Sequence, residues 1–196
     1  MAKYIGQQVV LPESRILFPT VFKPSKKYGR YEVSAVVDPD QKEDWAKIDD
    51  VLVEVASKAF GLSKTEAKKQ LKSGDLRSPL KSLPDGDLVF QAAQAEEKGA
   101  PTVVDIYQNQ IPESRSAEIR NGIMGNVVVF VMAYTVSEKN RGVTARINVL
   151  QKTADASGGG KQAALGLLPK TEPKTVTVPA DDDDSVDAAL DRMFAA

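Results

Sequence analysis

YGRYEVSAVVDPDQKEDWAKIDDVLVEVASKAFG, residues 28–61, changes its hydrophobic period midway, and that change decides the fold. Tyr31, Val33, Ala35 and Val37 share one face of a strand over 28–37, with Tyr28, Arg30, Glu32 and Ser34 on the other. Asp38-Pro39-Asp40 ends it, because proline donates nothing to a ladder and aspartate favours turns. From Gln41 to about Phe60 the period becomes helical: Trp45, Ile48, Leu52, Val55 and Ala59 recur at three- and four-residue steps. Gly61 stops that helix. Ser63-Lys64-Thr65-Glu66 then matches a capping box and opens a second helix, to about Lys72.

Outward from this strand-to-helix switch the chain reads as β. Residues 73–87 are rich in Gly, Pro, Ser and Asp and read as a loop. Strand-like runs follow at Leu88–Ala93, Thr102–Tyr107, Asn126–Val136 and Val143–Leu150, and Gln7–Leu11 and Arg15–Leu17 supply a further strand or two. The run NVVVFVMAYTV is apolar on both faces, as expected of a central strand covered on each side. In the last run Val143, Ala145, Ile147 and Val149 point one way, and Thr144, Arg146 and Asn148 the other. Ser137–Gly142 between them reads as a hairpin loop. A mainly β fold is predicted, an OB-like five-stranded barrel with a helical insertion at about 41–72. The barrel is expected to occupy residues 1–153. Residues 154–180, small, polar and rich in Pro and Gly, read as a flexible linker, and 181–196 as a disordered acidic C-terminal tail.

The charge is divided along the chain. Residues 171–196 hold two of the 26 basic groups and seven of the 27 acidic ones, which leaves residues 1–170 at +4 although the whole chain is at −1. A basic body joined to an acidic end suits a polyanion partner, and equally a solvated surface with a solubilising tail. Histidine and cysteine are both absent. That removes the commonest general base, the thiolate and imidazole metal ligands, and every Ser–His or Cys–His nucleophile. Asp38/Asp40, Asp49/Asp50 and Asp85/Asp87 are the acidic pairs left for carboxylate–magnesium chemistry, and turns and exposed helix faces account for them. No enzyme activity, metal or cofactor is expected. No run approaches the roughly 20 apolar residues of a membrane span, and MAKYIGQQVV lacks the features of a secretory leader. A cytoplasmic location is expected.

One segment mixes the groups that unpaired nucleic acid needs. Phe22 to Tyr31 carries Lys23, Lys26, Lys27 and Arg30 with three aromatics and no acid. Cations track phosphates, and aromatic faces stack bases. Tyr31 lies on the apolar face and is expected in the core; Tyr28 and Arg30 face the other way. Arg146, on the polar face of the last strand, suits a base or a phosphate, or an acidic strand partner. Arg141 and Tyr107 are further candidates. Lys64, Lys68 and Lys72 form one basic helix face, which a solvated surface also explains. In the tail, Asp181, Asp182, Asp183 and Asp184 precede SVDAALDRMFAA. Ser185 can cap a short helix carrying Val186, Leu190, Met193 and Phe194, an acidic peptide with an aromatic anchor.

Together, SRILFPTVFKP (14–24) with YEVSAVVD (31–38), PTVVDIYQNQI (101–111), GNVVVFVMAYT (125–135) and RGVTARINVLQK (141–152) resemble a family of phage-encoded OB-fold single-stranded-DNA-binding proteins. The resemblance implies sequence-independent binding of single-stranded DNA in phage replication, recombination or repair, in the host cytoplasm. It places Lys23, Tyr28, Arg30 and Arg146 on the binding face. It implies that an acidic tail, here Asp181–Asp184 with Phe194, recruits replication proteins and competes with DNA, although Ala195 and Ala196 follow the aromatic here. Duplex DNA and RNA are expected as weaker ligands, and self-association is left open. The competing expectation is a phage capsid or tail protein that does not bind nucleic acid.

Overall fold

The computed structural model describes residues 6–83 and 88–155. Eight strands form one sheet: β1 (Gly6–Val10), β2 (Ser14–Ser25), β3 (Arg30–Val36), β4 (Leu80–Ser82), β5 (Leu88–Ala95), β6 (Thr102–Val104), β7 (Met124–Ser137) and β8 (Asn140–Ala154). Two helices, α1 (Lys42–Phe60) and α2 (Lys64–Ser73), stand between β3 and β4. The strand order in the sheet is β4-β5-β3-β2-β7-β8-β6, and β1 pairs with β7 as well, antiparallel over Val128–Met132. The linker, the tail and Asp85/Asp87 lie outside the described residues.

Backbone bonds at Arg77 turn this sheet into a barrel. The Arg77 N–H donates to the Arg141 carbonyl at 3.1 Å, and the Val143 N–H to the Arg77 carbonyl at 2.8 Å. Two residues on, the Gln91 N–H donates to the Pro79 carbonyl at 2.8 Å. The stretch from Arg77 to Ser82 therefore joins β8 to β5 and closes a ring of β2, β3, β5, β8 and β7. That is the expected OB-like five-stranded barrel, with β1, β4 and β6 added. The strand β4 corrects the loop reading of 73–87. It is short, and its Pro, Ser and Asp surroundings carry no alternation, so only the pairing reveals it.

The barrel interior is apolar and, apart from Phe90, aliphatic. Ile16, Val21, Val33, Ala35, Phe90, Ala92, Val127, Val129, Val131, Ala145, Ile147 and Leu150 are all buried. On α1, Trp45, Ile48, Leu52, Val53, Val55 and Ala56 are buried, so the helical period read from the sequence is the face packed on β7, β1 and β8. Trp45 meets the Phe90 ring at 6.2 Å between centroids. Gly61 caps α1 with φ of 66°, a backbone that favours glycine. Ser63 caps α2 by accepting from the Glu66 N–H at 3.2 Å, but the Glu66 carboxylate accepts from Gln70 instead of completing the box.

Two expectations about faces change. In β7 Gly125, Val127, Val129 and Val131 are buried, and the alternate residues Val128, Phe130 and Met132 are half-buried. The strand is central to the pairing but packed on the core by one face. In β8 the register slips between the Val128–Val149 and Val129–Ile147 pairs, leaving Asn148 as an extra residue. Such a bulge flips the side-chain phase, so Leu150 is buried in place of Val149. The hairpin loop also shortens to Glu138-Lys139, because Ser137 pairs with Asn140.

Candidate nucleic-acid interface

A groove of about 670 Å³ crosses the outside of the barrel where it closes. Arg30, Arg77, Lys81 and Lys139 line it with Tyr134, Gln91 and Thr144, and no carboxylate is among its lining residues. The cations come from three separate parts of the chain. Arg30 opens β3, Arg77 is fixed by the backbone bonds that close the barrel, and Lys81 lies on β4 with its Nζ donating to Gln91 Oε1 at 2.6 Å. Lys139 occupies the two-residue β7–β8 turn, which the Ser137 hydroxyl steadies by accepting from the Asn140 N–H at 3.1 Å.

Tyr134 and Thr144 carry the surface on from the groove. Tyr134 pairs with Gly142, Met132 with Thr144, and Phe130 with Arg146, and the period of two keeps Tyr134, Met132 and Phe130 on one face. The Arg146 guanidinium lies 5.5 Å from the centre of the Phe130 ring. Gly6 on β1 lies under that ring: a Cβ there would come within 2.5 Å of it. Of the two readings of Arg146, the acidic strand partner gives way to an aromatic neighbour, and a cation stands over a ring on the outer face.

Lys26, Lys27 and Tyr28 sit in the β2–β3 turn and are exposed. The sequence placed Tyr28 at the head of the strand, but the Gly29 N–H donates to the Ser25 carbonyl at 2.8 Å and holds it in the turn. Lys27 Nζ and the Arg30 guanidinium lie 4.9 and 5.1 Å from the centre of the Tyr28 ring. Arg30 also pairs with Glu32, so part of its charge is already met. Lys23 pairs with Glu113 at 3.1 Å, both side chains being well exposed, where such a pair contributes little. Tyr31 is buried, as its face required.

Two candidates stand apart. Arg141 belongs to β8 rather than a loop; its guanidinium lies 5.4 Å from the Phe60 ring at the end of α1, and its Nε is buried. Tyr107, 83% exposed, projects from a turn after β6. That turn is fastened to Gln151, which is seven residues along β8 from Thr144, roughly 23 Å at strand rise. Burial pushes the Asp105 carboxyl in this turn up, but hydrogen bonds from Asn109 and from the Tyr107 N–H outweigh it and hold the group below its ordinary value. Lys64, Lys68 and Lys72 line a second groove, between α1 and α2, together with Asp50 and Glu54. Lys68 is already paired with Asp49 at 3.2 Å. That groove is of mixed sign and has no aromatic lining, which suits a solvated helix face. Asp38, for its part, accepts from the Asp40 N–H at 2.9 Å and serves a turn.

A family model described as the Enterobacter phage Enc34 ssDNA-binding protein matches residues 7–174. No curated protein matches the sequence. Among solved structures, the Enc34 single-stranded DNA-binding protein in complex with ssDNA aligns with a TM-score of 0.61 at 16% identity, covering 78% of this chain and 89% of that one. Its C-terminal truncation aligns with a TM-score of 0.59 at 20% identity, covering 78% and 87%. The bacteriophage T7 single-stranded DNA binding protein gp2.5 aligns with a TM-score of 0.56 at 14% identity, covering 85% and 97%. At these identities the structures establish a shared fold.

Proposed function

The chain belongs to the Enterobacter phage Enc34 ssDNA-binding protein family, and from that premise we propose that it binds single-stranded DNA independently of sequence along the outer groove of its barrel. The observation that carries this reading is the groove itself, with four cations brought together by closure of the barrel and no carboxylate in its lining. OB barrels bind oligonucleotides on the face of their second and third strands and with the loops between strands one and two and between four and five. Here those parts are β3 and β5, the 26–29 turn and the Glu138-Lys139 turn. Arg77, Lys81 and Lys139 follow phosphates, while Tyr28, Tyr134 and the Phe130–Arg146 pair offer faces to bases. Lys23, Lys26, Lys27 and Arg30 add charge at the entrance. Tyr107 projects from a turn fastened to β8 at Gln151, beyond the groove, and Arg141 is structural. Phosphate contacts and stacking on base faces do not depend on base identity, which supports binding without sequence preference.

The finer assignment follows from sequence. Residues 1–153 form the binding domain, 154–180 a linker and 181–196 a tail, whose Asp181–Asp184 and Phe194 recruit replication proteins and whose charge competes with DNA. The protein acts in phage DNA replication, recombination or repair, in the host cytoplasm, holding the strand without chemistry. The family is one of binding proteins, not enzymes. Among the described residues no helix is long and apolar enough to cross a membrane.

Fluorescence anisotropy with labelled poly-dT, duplex and RNA of equal length, at two salt concentrations, tests the reading. Tight binding that favours poly-dT and weakens with salt is expected, with Arg77→Ala weakening it further. Absence of binding at low salt would return the capsid or tail reading.

A further inference from the structure

Phe18 is the described residue least explained by the fold. It lies within β2, yet its φ is 52°, a left-handed backbone that is a marked outlier for a bulky side chain. Pro19 follows it, and a residue before proline is pushed toward extended backbone, so the conformation is disfavoured twice. One hydrogen bond and a slip in strand register go with this conformation. The Phe18 N–H donates to Asn121 Oδ1 at 2.8 Å, and the β2–β3 register slips between Leu17–Ser34 and Thr20–Glu32. Phe18 and Pro19 thus stand opposite the single residue Val33, a bulge of the kind that re-aims a side chain. The ring so aimed is 62% exposed, while Ile16, Leu17 and Val21 on the same strand supply the core. Packing therefore does not account for the strain.

Position says what such a ring can meet. β3, the next strand, carries Arg30 into the cationic groove. From Val33 to Arg30 is three residues, so Phe18 lies about 11 Å from Arg30 along the barrel exterior at ordinary strand spacing and rise. An OB barrel covers roughly 4–16 nucleotides of single strand, so a strand that continues from the groove past Arg30 and across β3 has the length to reach this point. A bare aromatic face with no charge or hydrogen-bonding group of its own suits a base rather than a phosphate.

We infer that Phe18 is a base-stacking residue, presented by a strained bulge as a second contact for single-stranded DNA beside the groove. The inference rests on the single-strand reading above and adds a residue that the charge pattern of the groove does not include.

The test measures poly-dT affinity and thermal unfolding together for Phe18→Gly, Phe18→Leu, Phe18→Tyr and, as the groove control, Arg77→Ala. Glycine accepts the backbone conformation, so Phe18→Gly should melt no lower than the parent protein while binding about 5- to 150-fold more weakly. Phe18→Leu keeps an apolar side chain without a π-face and should bind as weakly; Phe18→Tyr should bind as the parent does. Parent-like binding by Phe18→Gly or Phe18→Leu overturns the stacking role, and so does a melting point several degrees lower for Phe18→Gly, which would make the ring a brace. If Arg77→Ala weakens binding and Phe18→Gly does not, only this inference falls. If the parent protein ignores poly-dT, the single-strand reading falls and takes Phe18 with it.

Discussion

Arg141 and Arg146 stand five residues apart on β8, and an odd spacing on a strand sends side chains to opposite faces. Arg146 goes outward to Phe130, and Arg141 goes inward to Phe60. The sequence shows the outward face through Thr144, Arg146 and Asn148, but it reads Arg141 as part of a loop, because Ser137–Gly142 has loop composition. The two-residue turn places Arg141 in the strand, and the inward direction follows. Arg141→Ala should therefore cost about 1 kcal/mol of stability, as a partly buried cation–π contact and its packing are lost. Its single-stranded DNA affinity should stay within about twofold of the parent, whereas Arg146→Ala should lose affinity and keep its stability. Urea unfolding and anisotropy on the two variants check this; an affinity loss in Arg141→Ala without a stability loss would return Arg141 to the interface. Lys26, Lys27, Tyr28 and Arg30 were legible because they are neighbours in sequence. Arg77, Lys81, Tyr134 and Lys139 were not, because each is ordinary in its own segment and only closure of the barrel brings them together.

At the level of elements, closure depends on Gly142. A Cβ there would lie 2.3 Å from the Arg77 carbonyl oxygen, with the Arg77 backbone nitrogen at 2.5 Å. No side chain fits without parting the strands that the two Arg77 backbone bonds hold. Gly142→Ala is expected to destabilise the fold by about 1–3 kcal/mol, the usual range for forced overpacking. It should also weaken single-stranded DNA binding, because Arg77 and Lys139 lie on either side of the joint. Denaturant midpoints and poly-dT titrations would show both losses; a stable variant with weakened binding would mean the joint shapes the groove without supporting the barrel. The elements with strong periods, α1 above all, were legible because burying a stripe of Trp45, Ile48, Leu52 and Val55 forces that spacing. The Arg77–Ser82 stretch was hidden because it closes the barrel through backbone bonds, which leave no mark on side-chain pattern. The Asn148 bulge was hidden for a related reason: alternation cannot be read across an inserted residue that is itself polar.

For the whole molecule the governing quantity is the distribution of charge. Residues 1–170 stand at +4, and residues 171–196 at −5. A single strand binding the groove releases counterions, and the logarithm of its affinity falls with the logarithm of salt by about 0.7 per phosphate neutralised. On the reading proposed above, the acidic segment competes with the strand for those cations, and its effective concentration is set by its covalent attachment to the same chain. Deleting 181–196 should therefore tighten poly-dT binding at low salt, and the gain should shrink as salt screens the competing charges, the Debye length being about 8 Å at physiological ionic strength. Duplex DNA should gain at least as much, since a basic groove freed of its competitor attracts any phosphate backbone. The check is a set of anisotropy titrations of full-length and truncated chains on both ligands across a salt series. Parallel salt plots with equal affinities would sink the competition and leave the tail only its partner-recruiting role. A gap that persists unchanged at high salt would point to a contact through Phe194 and its apolar neighbours instead of through the four aspartates.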